Sequence, residues 1–344
     1  MFDLQTVAES DFLGQEAVGF PFTPARLPLT GWSWPVLLRN PADKRTLAFM
    51  AVTTGLFVVN WMRPLEFSLL TVGLWVWAMF MAVTCSVIAH NHNHLRTFEK
   101  PALNVLMDWW LTVFYGFPVF AWVPTHNMNH HRYTNREGDY TITYRMSEGN
   151  NAVTLLTYPT ISGSYQTIAI RKYIASLWNN NRTGFWLAMA QIVVFILSMA
   201  IPLYFDWKKA IVFMILPQQF AVYTVMIFNY VQHVHADEES KYNHSRNIVG
   251  PWMNALLFNN GFHTVHHNNP GMHWSEAPAA HALIADKIDP ALNEKSFWGY
   301  MFRSYVGGLF SSKLGTRSMR LARKSRQTGS APAAADNDLA GSQA

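Results

Sequence analysis

Apolar residues gather into four long runs, roughly Thr46 to Met62, Phe67 to Ala89, Gly184 to Phe205 and Ala210 to Val231, and none of the four carries a formal charge. A helix needs about 20 residues to cross the hydrocarbon core of a bilayer, so each run predicts a transmembrane helix. The links Arg63–Glu66 and Asp206–Lys209 are short enough to make each neighbouring pair a helical hairpin. A fifth run, Pro101 to Val123, contains Asp108 and Pro118. A bare carboxylate is costly in hydrocarbon, and broken helices are tolerated there only against protein or water. This run therefore predicts an interfacial or re-entrant segment. The expected fold is an all-α integral membrane protein: four transmembrane helices in two hairpins, with a helical cap on one side. Along the chain this gives an N-terminal segment (1–45), a membrane-embedded domain (46–312) and a basic, then disordered, tail (313–344).

With the fifth run non-spanning, the N-terminus, the stretch from His90 to Arg182 and everything after His233 share one side. Of the 26 Lys and Arg, only Arg63, Lys208 and Lys209 fall on the other, so the positive-inside rule makes the cap side and both termini cytoplasmic. The first 45 residues show no basic-then-apolar cleavage pattern, and the first span is expected to serve as the insertion signal. Charged residues are only 14% of the chain, against about 25% in soluble domains. The net charge of +5 does not indicate nucleic acid. Six of the basic residues lie between Lys313 and Arg326 with no acid among them, a juxtamembrane pattern that suits anionic lipid headgroups. From Gln327 onward the composition predicts disorder.

The 14 histidines change the picture most. His90 and His94 end the second run four residues apart, so they share a helix face. His126 and His130 repeat the spacing, with His131 adjoining, and His263, His266 and His267 offer spacings of three and four. Asn229 and His233 place an amide and an imidazole four apart at the end of the fourth run. Neutral imidazole is the commonest protein ligand for transition metals. Nine candidate histidines exceed the four places of a tetrahedral zinc, so the count fits two ions, without naming the element. The single cysteine excludes a Cys-ligated cluster. His92, His235, His244, His273 and His281 are read as non-ligands, with His235 and His273 as candidates to orient ligands. Asp108, Glu137, Asp139 and Glu276 are candidate acceptors for ligand N–H groups. Arg132 and Arg136 are read as surface charges rather than as partners for a substrate anion.

The three boxes, His-x3-His, His-x3-His-His and His-x2-His-His, together with four spans, resemble the membrane-bound fatty acid desaturase and hydroxylase superfamily over roughly residues 40 to 310. The resemblance implies a non-haem diiron centre at the cytosolic ends of the spans, above a tunnel for an acyl chain. Its implied ligands are His90, His94, His126, His130, His131, His233, His263, His266 and His267, with Asn229 approaching one metal through water. The stretch from Asn229 to His235 also resembles a motif of membrane alkane hydroxylases, but with Gln232, Val234 and His235 at three of its positions. No His-Pro-Gly-Gly haem motif occurs. Electrons are therefore expected from a separate donor, such as a ferredoxin or rubredoxin with its reductase.

The implied reaction is oxygen-dependent C–H abstraction from a fatty acid or acyl thioester, giving an alkene. Hydroxylation is one alternative. The short chain also resembles compact bacterial members, which decarboxylate free fatty acids to terminal alkenes and would place it in a bacterial inner membrane. Tunnel walls are expected from the spans and from the stretch around Trp109, Trp110, Phe114, Tyr115 and Phe117. A non-enzymatic divalent-metal transporter or sensor is the alternative of a different class. It fits less well, because transporters bind cargo near the midplane and these spans hold no histidine until their ends.

Overall fold

The computed structural model describes residues 37–329; most of the N-terminal segment and the last 15 residues lie outside that range. Helix α1 (Lys44–Met62) and helix α2 (Leu69–His94) form the first hairpin. Ser68 caps α2 by accepting the Thr71 N–H at 3.1 Å, which satisfies one of the donors a helix start leaves open.

The apolar run Arg182–His233 is helical over 52 residues. Kept straight, at 1.5 Å per residue, it would be more than twice as long as a hydrocarbon core of about 30 Å. It breaks at Asp206, whose backbone is non-helical (φ −156°, ψ 92°), inside the link expected from sequence. Beyond the break, Lys209 Nζ donates to the Trp61 carbonyl at the far end of α1 (2.8 Å). The chain then returns through the π-helical segment Ile211–Ile215 to the level of the histidines, where His233 meets His130. The two arms, α5 (Arg182–Ala210) and α6 (Leu216–His233), make the second hairpin.

Between the hairpins, α3 (Pro101–Tyr115) and the segment Val119–Tyr133 are bent by 97°. Gly116 makes the turn at φ 83°, and a Cβ there would collide with the Gln218 side chain at 2.2 Å, so only glycine suits the position. Asn104 near the start of α3 bonds the Phe98 backbone, and the second arm returns to His126 beside His90. The pair thus enters and leaves on the same side, as a re-entrant segment. Asp108 is not left bare: Arg96 pairs with it at 2.7 Å.

One long helix is not marked by any apolar run. Helix α4 (Ala152–Asn180) starts with a capping box, Asn151 with Thr154. It carries Pro159, Arg171 and Lys172, so no apolar run marked it. Its Leu155 and Tyr158 pack against Ile227, Tyr230 and Val231 of α6. The cap that follows α6 consists of short helices and a two-residue parallel pairing of β1 (Asn247–Ile248) with β2 (Asn293–Glu294). Within it Arg246, 2% exposed, donates to the Val231 and Val234 carbonyls at 2.6 and 3.1 Å. A cation against the open carbonyls of a helix C-terminus is favourable, and here it fixes the end that presents His233.

The basic segment differs from expectation in two ways. Met319–Thr328 is helical, so Gln327 and Thr328 complete a helix rather than begin a tail. Arg320 and Arg323 do not face outward to lipid headgroups: Arg320 pairs with Glu148 and Glu238, and Arg323 with Asp237 and Glu238. Replacing both arginines with alanine strands the buried Glu238. The expected cost is on the order of 3 kcal/mol, read as a lowered thermal midpoint in detergent. A loss no larger than an exposed pair gives, under about 1 kcal/mol, would contradict this role.

Candidate metal centre

Nine histidines from four distant parts of the chain meet at the cap ends of α2 and α6. They sort into two groups whose ligand atoms lie within 4.8 Å of one another: His90, His94, His126, His131 and His266 in one; His130, His233, His263 and His267 in the other. The groups touch, with the His131 and His267 ring centroids 4.4 Å apart.

Local backbone geometry decides which histidine serves which group. His90 and His94 share the last turn of α2, as i,i+4 spacing predicts. The second cluster behaves differently, because Val123–His130 is a π-helix in which the His131 N–H bonds the His126 carbonyl five residues back. His126 and His131 therefore share a group, with Nε2 atoms 3.1 Å apart, while His130 turns to the other. An α-helix would have paired His126 with His130. Such π segments are rare and recur at functional sites. In α7 (His263–Asn268) the i,i+4 pair His263 and His267 serves the four-membered group, and His266 between them serves the five-membered one.

In the larger group four Nε2 atoms close a ring: His90 to His126 (2.9 Å), His126 to His131 (3.1 Å), His131 to His266 (3.0 Å) and His266 to His90 (3.0 Å). An imidazole N–H cannot accept, so hydrogen bonds satisfy at most alternate contacts of such a ring. The buried Nε2 of His94 has no protein partner at all. Burial, and then the neighbouring rings, push His263, His266 and His267 well below the ordinary imidazole range, leaving neutral lone pairs. A cation resolves all of this: adjacent places on an ion with bonds of about 2.1 Å set nitrogens about 3 Å apart. The smaller group has the same spacing, with His233 Nε2 at 3.1 Å from His130 and 2.9 Å from His263, and His267 at 3.1 Å from His263. The residues fit two metal ions.

Surrounding groups fix the rings. His130 Nδ1–H donates to Asp139 Oδ2 at 2.8 Å, and Thr141 Oγ1–H donates to the other oxygen of that carboxylate at 2.6 Å. Burial would raise the Asp139 carboxyl, but His130 and Thr141 outweigh it and hold the group below the usual carboxylate range. The chain returns Asp139 to His130 through a tight reversal, with Thr134 and Asn135 at positive φ (44° and 64°). For β-branched Thr134 that conformation is strained, and the Asn135 N–H bonded to Asp139 Oδ2 (2.8 Å) helps hold it. His233 Nδ1–H donates to the His244 carbonyl at 3.2 Å.

Of the four candidate carboxylates, only Asp139 bonds a clustered histidine. Asp108 lies 3.4 Å from the non-ligand His92, and among the described residues no contact joins Glu137 or Glu276 to the clusters. His235 and His273 do not orient ligands. His235 bonds the Glu148 carbonyl and Thr316, and His273 faces Asp43 and Ser275. Arg136 reaches the Glu238 carbonyl and Glu239, and Arg132 lies over Tyr133; both belong to the cap surface. Asn229 donates its amide to Tyr158 Oη at 2.6 Å.

Beneath the histidines is a cavity of about 440 Å³, walled by α4, α6 and the bend after α3, which reaches His90 and His126 of one group and His263 of the other. Tyr115 and Phe117 line it as expected; Trp109, Trp110 and Phe114 do not. Trp110 instead lies tilted against Phe114 and donates to Thr54 of α1. The unforeseen α4 supplies Pro159, Gly163, Gln166 and Ile170 in their place.

Fold and site define a multi-pass membrane enzyme with histidine clusters suited to a pair of metal ions. The sequence profile of the fatty acid desaturase family matches residues 67–298, from just before α2 to the short helix Phe297–Met301 of the cap, and the chain belongs to that family. No curated protein and no solved structure matches it.

Proposed function

We propose that the protein is an oxygen-dependent fatty acyl desaturase that holds two non-haem irons, one on each histidine group, with Asn229 approaching one of them through water. The observation that supports this most strongly is the cavity that touches both groups from the membrane side. Iron bound there supplies dioxygen activation and the abstraction of hydrogen from an unactivated carbon, which side-chain acids and bases cannot do. The chain's own residues position the reaction. Phe117, Val222 and Ile170 give the acyl chain an apolar bed, and Asp139 and the His244 carbonyl keep the Nε2 lone pairs of His130 and His233 aimed inward. Each double bond takes two hydrogens from the substrate and, with two electrons from a separate ferredoxin or rubredoxin system and two protons from water, leaves dioxygen as two waters. The active site is assigned to the cytoplasmic side, because cations are so scarce on the opposite face, and the resemblance to compact bacterial members supports a bacterial inner membrane.

Incubation of the membrane protein with reductant, oxygen and isotope-labelled fatty acids or acyl thioesters tests the proposal by mass spectrometry. An internal alkene is expected. An alcohol, or a terminal alkene one carbon shorter, would assign the chain to hydroxylation or decarboxylation instead. Metal flux in proteoliposomes without oxygen consumption would make it a transporter.

The depth of the cavity is set in part by Gly163 on α4, where an added Cβ would meet nothing within 4 Å. Gly163→Leu fills that space without touching the histidines. Turnover of the longest accepted chain is expected to fall about tenfold or more relative to chains a few carbons shorter, since a single methylene can cost that much in a filled pocket. Competition between labelled chains of different length checks it, and an unchanged length profile would remove Gly163 from the substrate path.

A further inference from the structure

Two short cap helices are apolar on the side that packs inward and also on the side that faces out. Pro251–Leu256 and Phe297–Met301 start side by side. Just before them β1 pairs with β2, the Val249 N–H donates to the Glu294 carbonyl at 2.8 Å, and a Cβ on Gly250 would strike the Lys295 carbonyl at 2.0 Å. Inward, Met253 and Phe297 join the core of the spanning helices. Phe297 lies edge-on to Phe228 of α6, ring centroids 5.0 Å apart, and Tyr300 and Tyr305 continue the buried side at 1% and 6% exposure. Exposed are Trp252 and Trp298 of the two helices and, on the segment that follows the second, Phe302, Leu309 and Phe310, between 69% and 85%. So many large apolar side chains exposed on neighbouring segments mark a protein or membrane contact.

Two observations point to membrane. Phe228 sits five residues before the end of α6, so Phe297 meets it about 7.5 Å below the level of His233 by helix rise, within the depth of a spanning helix. In addition, residues 295–317 contain Lys295, Arg303, Lys313 and Arg317 and no acid. Arg303 pairs with Glu294, and the other three are exposed. Aromatic side chains with a cationic margin suit the zone between acyl chains and anionic headgroups.

We infer that this two-helix platform lies in the bilayer interface, with Trp252, Trp298, Phe302 and Phe310 at the headgroup–acyl boundary and Lys295, Lys313 and Arg317 on anionic headgroups. It moors the cap to the membrane beside α6. Because Phe228 also lines the large cavity, the platform ties the depth of the metal centre to the depth of the surrounding lipid. The inference rests on exposure and packing, and holds whichever reaction the site performs.

Site-directed spin labelling of the full chain tests it. The native Cys85 is buried, so one introduced cysteine is labelled at a time: Phe302→Cys, Phe310→Cys, or the exposed control Lys241→Cys on the cap. Each is reconstituted into vesicles of phosphatidylcholine and phosphatidylglycerol, with retained metal content reporting a folded site. Collision with oxygen relative to a water-soluble nickel chelate is expected to be about tenfold higher at 302 and 310 than at 241, as for residues 5–10 Å below the headgroup surface. Ratios equal to that of the control would overturn the inference. So would dipolar broadening between labels on two chains, which would assign the platform to a second copy instead.

Discussion

Replacing His233 by alanine is expected to abolish product formation and to remove one of the two metal ions per chain. His233 is fully buried, bridges His130 and His263 through Nε2, and is held by the His244 carbonyl through Nδ1. Its group has four histidines, so the substitution leaves three, with a cavity where the ring stood. The five-membered group provides the comparison. His94→Ala leaves four histidines there, and metal content should fall less than it does in His233→Ala. Activity of His233→Ala should drop at least about 100-fold, the upper end of what loss of a mere supporting group costs. Product analysis and elemental analysis on the same purified sample check both parts. Full metal content together with wild-type turnover would remove His233 from the site.

Asp139→Asn is expected to have the next largest effect, although Asp139 touches no metal. The carboxylate accepts from His130 Nδ1, from the Thr141 hydroxyl and from the Asn135 and Thr141 backbone N–H groups. An amide keeps the volume but has one acceptor oxygen where the carboxylate has two, and its NH2 group meets an N–H donor. Either His130 changes tautomer, turning its lone pair away from the site, or the loop from Thr134 to Asp139 opens and releases the strain at Thr134. Both weaken metal binding, and a loss of about 10- to 100-fold in metal affinity or activity is expected. Asp139→Glu, which keeps the charge, should recover part of it. Chelator competition separates loss of affinity from loss of turnover, and unchanged metal retention in Asp139→Asn would contradict an orienting role.

What the sequence made legible follows from the physics each feature depends on. The hairpins are written in apolar runs interrupted at Arg63 and Asp206, because hydrocarbon imposes length and polarity directly. The clustered histidines are legible because imidazoles three to five residues apart on a helix can be aimed at one site, so each short segment delivers several ligands. The partition of the second cluster was not. Spacing of four reads as one helix face, and nothing in Val123–His130 announces the π-helical register that parts His126 from His130. Helix α4 was also invisible, since Thr160, Gln166 and Thr167 facing the cavity and Arg171 and Lys172 farther along dilute its apolar content. Asp139 stood among four candidate carboxylates and could be chosen only once the reversal at Thr134 and Asn135 had carried it back to His130. The arginines of the C-terminal segment looked free for lipid because their partners, Glu148, Asp237 and Glu238, lie about 80 or more residues away in sequence.

Imidazoles of distant origin form two adjacent groups, each suited to a cation. Iron content per chain, measured with the Mössbauer spectrum of the intact protein isolated from cells grown on ⁵⁷Fe, addresses this directly. Two irons per chain in nitrogen-rich environments are predicted, with His233→Ala removing the signal of one and leaving the other. A single iron per chain in a protein that turns over at full rate, or a His233→Ala spectrum identical to the wild type, would contradict the two-site arrangement.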